Sequence, residues 1–308
     1  MIRRLALAGL AVTLFLAGCS GIGNTQPAGR LAFEREESDN SDVYIMNPDG
    51  TGLTRLTDDP GWDGTPAWSP DGTQIAFASE RLGSPVIMLM NADGSDQRPL
   101  TDATYASLMP AWSPDGQQIA FASTRSYEVP MEGGRQLVEA GFEIWVMNAD
   151  GSNMRRVTGN YEDQSLYPSW SPDGKQLASQ EITDEIRIML QEPVEDAPAT
   201  NVTASVDGRQ WTPAWSPDGR QIVFMNQDLE TGVANIWLLD VKSGQATHLS
   251  QADSNDGEPA WSPDGKEIVF SSDRDGTQSL YIMSADGQNV RRLTTDDASY
   301  SHPAWSGK

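Results

Sequence analysis

The 308-residue chain has one cysteine, Cys19, and two histidines, His248 and His302. A single cysteine excludes an internal disulfide and a thiolate zinc cluster. Its longest apolar stretch, Leu5 to Ala17, falls short of the roughly 20 residues that cross a bilayer as a helix. Basic residues are also scarce: 21 Lys and Arg stand against 44 Asp and Glu, a net charge of -23. Such a surface repels phosphate backbones and argues against a nucleic-acid partner; the same charge favours a monomer. No HExxH, GxSxG, CxxC or Walker-type phosphate loop occurs, so zinc hydrolysis, serine hydrolysis by that route and nucleotide turnover lack their usual parts. The chain is therefore expected not to be an enzyme, and no cofactor is implied. Carboxylates of Asp63, Asp256 and Glu258 remain open as an acid and base pair, or as oxygen ligands for calcium without an EF-hand loop.

What the chain does have is one phrase, repeated. It reads "PAWSPDGTQIAF" from Pro66, "PAWSPDGQQIAF" from Pro110, "PSWSPDGKQLAS" from Pro168, "PAWSPDGRQIVF" from Pro213 and "PAWSPDGKEIVF" from Pro259, with a truncated "PAWSGK" at the end. The repeat period, read from Trp68, Trp112, Trp170, Trp215, Trp261 and Trp305, is 44 to 46 residues apart from one interval of 58. A second phrase follows within each unit, as in "VYIMNPDGTGLTRLT" from Val43 and "LYIMSADGQNVRRLT" from Leu280. Short apolar runs bounded by Pro, Asp and Gly mark strands joined by hairpins. Four strands in about 44 residues is the period of a propeller blade. The fold expected is all-β, a six-bladed β-propeller with four-stranded blades. The last unit supplies only a first strand, and the stretch "GRLAFERE" from Gly29 begins with a second strand. The two segments are expected to complete one blade between them, leaving no open edge at the seam.

"PAWSPDG", "IAF", "MNADG" and "RRLT" together resemble the WD-repeat-like, PD40-type propeller of the TolB family, over residues 29–308. The separate N-terminal α/β domain of TolB is not present in this chain. The resemblance implies an extracytoplasmic binding platform. Similar propellers also serve as gating domains in some peptidases and as catalytic scaffolds in oligogalacturonate lyases, whose histidine metal cluster two histidines cannot reproduce.

Ahead of the ring, "MIRRLALAGLAVTLFLAGCS" has the layout of an export signal over residues 1–18. Its "LAGC" resembles a bacterial lipobox, which makes Cys19 the acylated first residue of the mature protein. Residues 19–28 then form the anchor and a small, polar, flexible tether. Removal of Arg3 and Arg4 with the signal takes the net charge to -25. The expected location is the outer membrane or periplasm of a diderm cell, or the surface of a monoderm.

The "SPDG" and "NADG" turns repeat so closely that turn chemistry accounts for them. The opposite face carries the loops that differ between blades, which is where binding usually resides. Thr65, Met109, Tyr167, Thr212, Glu258 and His302 directly precede the inner-strand prolines, with Asp63, Trp211, Asp256 and Tyr300 close behind; these are expected to ring the channel mouth. Aromatics beside carboxylates there suit a peptide or a small cation, although Trp211 and Tyr167 could equally cap the core. The long interval places an insertion, Ser126 to Phe142 with Val129, Met131 and Leu137, on the same face. The expected partner is an envelope protein or peptide; the alternative is a carbohydrate-binding or carbohydrate-processing propeller, with or without calcium.

Overall fold

The computed structural model describes residues 29–38, 40–131, 134–138, 141–159, 163–250 and 253–307, with the backbone alone for 128–131 and 134–138. The expected signal, Cys19 and the tether lie outside the described residues.

Six four-stranded antiparallel sheets form the blades of a propeller. Blade 2 is typical: an inner strand Asp63–Trp68, then Gln74–Ser79, Val86–Asn91 and a short outer strand Arg98–Pro99. Blade 1 is assembled from both ends of the chain. Its inner strand, Ser299–Trp305, pairs with Leu31–Glu37, with Leu31 opposite Trp305 and Arg35 opposite Tyr300. The expected closure is therefore the one observed. The inner strands of neighbouring blades contact one another all the way round, so the ring closes.

The second and third strands read as unbroken apolar runs because both faces of each blade are covered. Ile75 and Phe77 face blade 1, where they meet Ala32, Val43 and Ile45. Ala76, between them in the chain, faces blade 3 and meets Ile119, Phe121 and Trp145. Each of the six apolar clusters is shared by two adjacent blades. Phe33, Phe77, Phe121, Phe224 and Phe270 are wholly buried in them, and each contributes ~1.5–3 kcal/mol by leaving water. None of this apolar surface could be covered within one blade.

The "SPDG" turns are held by their own side chains. Ser69 Oγ donates to Asp71 Oδ1 at 2.7 Å and accepts from Gln74 N at 2.9 Å, while Thr73 N donates to Asp71 Oδ1 at 3.0 Å. The same set recurs at Ser113, Ser171, Ser216 and Ser262. Gly72 takes φ +70°, a left-handed conformation that other residues adopt at a cost. These residues are occupied in making the turn.

Tyr300 joins the seam to the core: it is 1% exposed, its ring lies 5.6 Å from that of Phe33, and its hydroxyl donates to Asp296. Tyr300→Ala is expected to cost about 3–5 kcal/mol, measured as a shift of the urea midpoint at unchanged slope. Leu229→Ala, at a side chain 67% exposed, should stay within about 0.5 kcal/mol of the parent.

Candidate functional site at the channel mouth

Every inner strand carries an irregularity in the same place. In blade 2 the pairing register shifts between Gly64 and Ala67, and in blade 6 between Gly257 and Ala260. The residue inside each bulge is Thr65, Met109, Tyr167, Thr212, Glu258 or His302, and all six have φ between 46° and 56°. Left-handed backbone at non-glycine residues costs about 1–3 kcal/mol apiece. A bulge re-aims a side chain, and here one side chain per blade is turned into the channel. The proline that follows has no N–H, which suits an inner edge strand with no further partner.

These six residues and their prolines line a cavity of about 130 Å³. Of the ten residues expected at the mouth, the six that directly precede the prolines line it, and Asp63, Trp211, Asp256 and Tyr300 do not. Its polar side is built around His302. Nδ1 lies 3.3 Å from Glu34 Oε2 and Nε2 lies 3.3 Å from Glu258 Oε1; Glu258 Oε2 also accepts from His302 N at 2.7 Å. Burial pushes the imidazole pKa down, but the carboxylates of Glu258 and Glu34 outweigh it and raise it to about 9. Burial pushes Glu34 up, and hydrogen bonds with His302, Trp62 and Ser41 more than offset this and hold it below its ordinary value. Tyr167 stacks on His302, with ring centroids 6.2 Å apart and planes 9° apart. At neutral pH the mouth therefore holds an imidazolium clamped between two carboxylates, roofed on one side by a phenol.

Other polar atoms here are unspoken for. Thr65 Oγ1 and Thr212 Oγ1 are buried without a hydrogen-bond partner among the described residues. Such groups cost free energy unless a ligand or water meets them.

Other expected members of the ring sit elsewhere. Asp63 and Asp256 are wholly buried: Asp63 accepts from Arg81 Nη2 at 2.7 Å, and Asp256 from Arg274 Nη2 at 2.8 Å. They lie at the start of their strands, two residues before the bulge, and tie an arginine rather than line the channel. Tyr300 belongs to the seam. Trp211 is half-buried opposite Met225. The insertion of blade 3 forms a hairpin, Tyr127–Met131 with Gly134–Val138, in which Val129 faces Gln136 and Leu137 faces Glu128 across the pair, while Met131 faces Gly134 at the tip. Glu34 was not expected at the site. It comes from the second strand of blade 1 and reaches the mouth because Gly64 leaves room: a Cβ there would stand 2.2 Å from Glu34 Oε2.

The clamp predicts a pH dependence. The folded-state pKa of His302 lies above the unfolded value, so its contribution is complete below about pH 6.5 and is lost as pH rises through about 9. The full contribution is on the order of 3 kcal/mol. His302→Asn should be less stable than the parent at pH 6, and the difference should shrink by pH 10, as read by urea unfolding at both pH values. An unchanged difference would show that the clamp carries no charge.

Comparison with known proteins bears on the fold that carries this mouth. The family model described as TolB beta propeller domain, PD40, matches residues 17–136 and 129–308. Among solved structures, TolB from Acinetobacter baumannii superposes with a TM-score of 0.73 at 21% identity, over 92% of this chain and 68% of that one. A protein from Agrobacterium tumefaciens assigned as TolB gives 0.68 at 22% identity, over 90% and 99%. An oligogalacturonate lyase from Vibrio parahaemolyticus gives 0.55 at 15% identity, over 82% and 86%. With six blades, a seam closed by the two ends of the chain and a family match spanning the ring, this chain belongs to the TolB beta propeller domain family.

Proposed function

We propose that the protein is a lipid-anchored, extracytoplasmic binding platform that takes a protein or peptide at the channel mouth. The observation that carries the reading is the mouth itself: six strained residues, one from each blade, turned into one small cavity, with the buried hydroxyls of Thr65 and Thr212 unpartnered among the described residues. Strain concentrated at one place and left in every repeat is characteristic of a functional site. The Thr65 and Thr212 hydroxyls suit the amide groups of a peptide, and Tyr167 offers an apolar face. The loops around the mouth differ between blades, and the Tyr127–Val138 hairpin stands on the same side, which gives a partner a larger surface than the cavity alone. Family membership and the net charge of -23 support a polypeptide partner over a polyanion.

The anchor is part of the same proposal. Cys19 holds the lipid, residues 20–28 give the ring reach from the membrane, and residues 1–18 direct export. Cys19→Ala should move the protein from the membrane fraction to the soluble fraction, with loss of the acyl mass on the mature N-terminus.

Met109→Arg would plug the mouth while leaving the His302 clamp untouched. A protein cross-linked to the parent in envelope extract should be absent with this variant at an unchanged melting temperature. Equal capture by both would remove the mouth from the interface. Stabilisation of the ring by oligosaccharides, with no protein captured, would turn the reading to a carbohydrate.

A further inference from the structure

A second site emerges when the blades are laid over one another. In blades 2, 3 and 6 the residue four positions after the core phenylalanine is an arginine: Arg81 after Phe77, Arg125 after Phe121 and Arg274 after Phe270. Arg274 donates from Nε to Ser272 Oγ at 2.9 Å and from Nη2 to Asp256, and its guanidinium lies 4.8 Å from the ring centroid of Tyr281 on the third strand. Arg81 repeats the bonds to Ser79 and Asp63. Arg125 lies 5.9 Å from the Trp145 ring. In each of these blades the arginine closes the outer part of the sheet, and Tyr281 and Trp145 are left only 3% and 7% exposed.

Blade 5 keeps the frame and omits the cation. Phe224 pairs with Trp237 as Phe270 pairs with Tyr281, but the residue four positions on is Asp228. Asn226 stands in place of the serine and Gln210 in place of the buried aspartate; they bond each other, Gln210 Nε2 to Asn226 Oδ1 at 2.9 Å. Trp237 is consequently not sealed as its counterparts are. A cavity of about 690 Å³ opens over it, lined also by Asp207, Asp228, Asp253 and His248. His248 stacks on Trp237 at 5.0 Å with 18° between planes, in the register position that Arg292 holds in blade 6.

We propose that this cavity receives an arginine side chain from a partner polypeptide, which takes the place that the chain's own arginine fills in blades 2, 3 and 6. The indole is the better cation–π surface among aromatic side chains, and the three carboxylates match a guanidinium fork. Hydrogen bonds from Thr231 and Glu230 fix one oxygen of Asp228 and keep the group ionised. Partial burial, opposed by Asp256, lowers the pKa of His248, so a neutral imidazole backs the indole and does not repel the cation. The site is distinct from the channel mouth, and either can fail while the other stands.

The test titrates the full chain with acetyl-Gly-Arg-Gly-amide and follows the indole N–H signal of Trp237, assigned through Trp237→Phe. The arginine peptide should shift that signal saturably, and its citrulline counterpart should not. Asp228→Arg should restore the repeat's own cation, keep the fold and weaken peptide binding at least tenfold. Asp207→Asn, which leaves the Asp228 loop as it is, should weaken it about threefold. The proposal is overturned by no shift with the arginine peptide, by an equal shift with citrulline, by undiminished binding to a folded Asp228→Arg, or by an oligosaccharide moving the signal where the peptide does not.

Discussion

A four-stranded blade has two apolar faces and no means of covering either. Everything else in this molecule follows from that deficit. Each blade borrows its neighbours as cover, which makes every apolar cluster an interface between blades and requires the last blade to meet the first. The repeated tryptophans, phenylalanines and turn residues are fixed by this requirement. Most variation falls at positions that no neighbour needs: the loops, the bulge residues in the channel, and the outer flank of the sheet in blade 5; the buried Ser179, which stands in the fourth blade where the others carry phenylalanine, is an exception.

Charge is distributed by the same logic. In a chain with twice as many acids as bases, Arg81 and Arg274 are turned inward to buried aspartates and aromatic faces. Such pairs would leave an uncompensated buried carboxylate if the arginine were removed. The outer surface is left strongly negative. At the mouth the arrangement is reversed, with the cation of His302 held between two acids. The two recesses therefore differ: the channel already contains its positive charge, whereas the blade 5 cavity has carboxylates and an indole with none.

Much of this was legible in the sequence. The period of the tryptophans yields the blade count, and the missing partner strands yield the seam. The position before each proline identifies the channel ring, because a repeat puts equivalent residues at equivalent depth. Residues two places earlier were misjudged, since a strand alternates and the bulge intervenes: Asp63 and Asp256 point into the blade. The signal that would have placed them is the spacing of Ser79 with Arg81 and of Ser272 with Arg274, which supplies each aspartate with a buried partner. Glu34 has no such signal. It stands beside His302 within blade 1, opposite Ser301, and no repeat period encodes a contact made by one blade alone.

The composite blade also orders events in time. Residues 31–37 are made before the five intervening blades, yet the strand that covers their edge, 299–305, is made only after them. Until then the chain holds an unpaired edge and an uncovered face, separated from their cover by five blades. Contacts of such sequence separation form slowly, after most of the loop-closure entropy has been lost. The ring is thus a late, all-or-none event: five blades can stack as they emerge, but the channel acquires its full set of six lining residues only when His302 arrives.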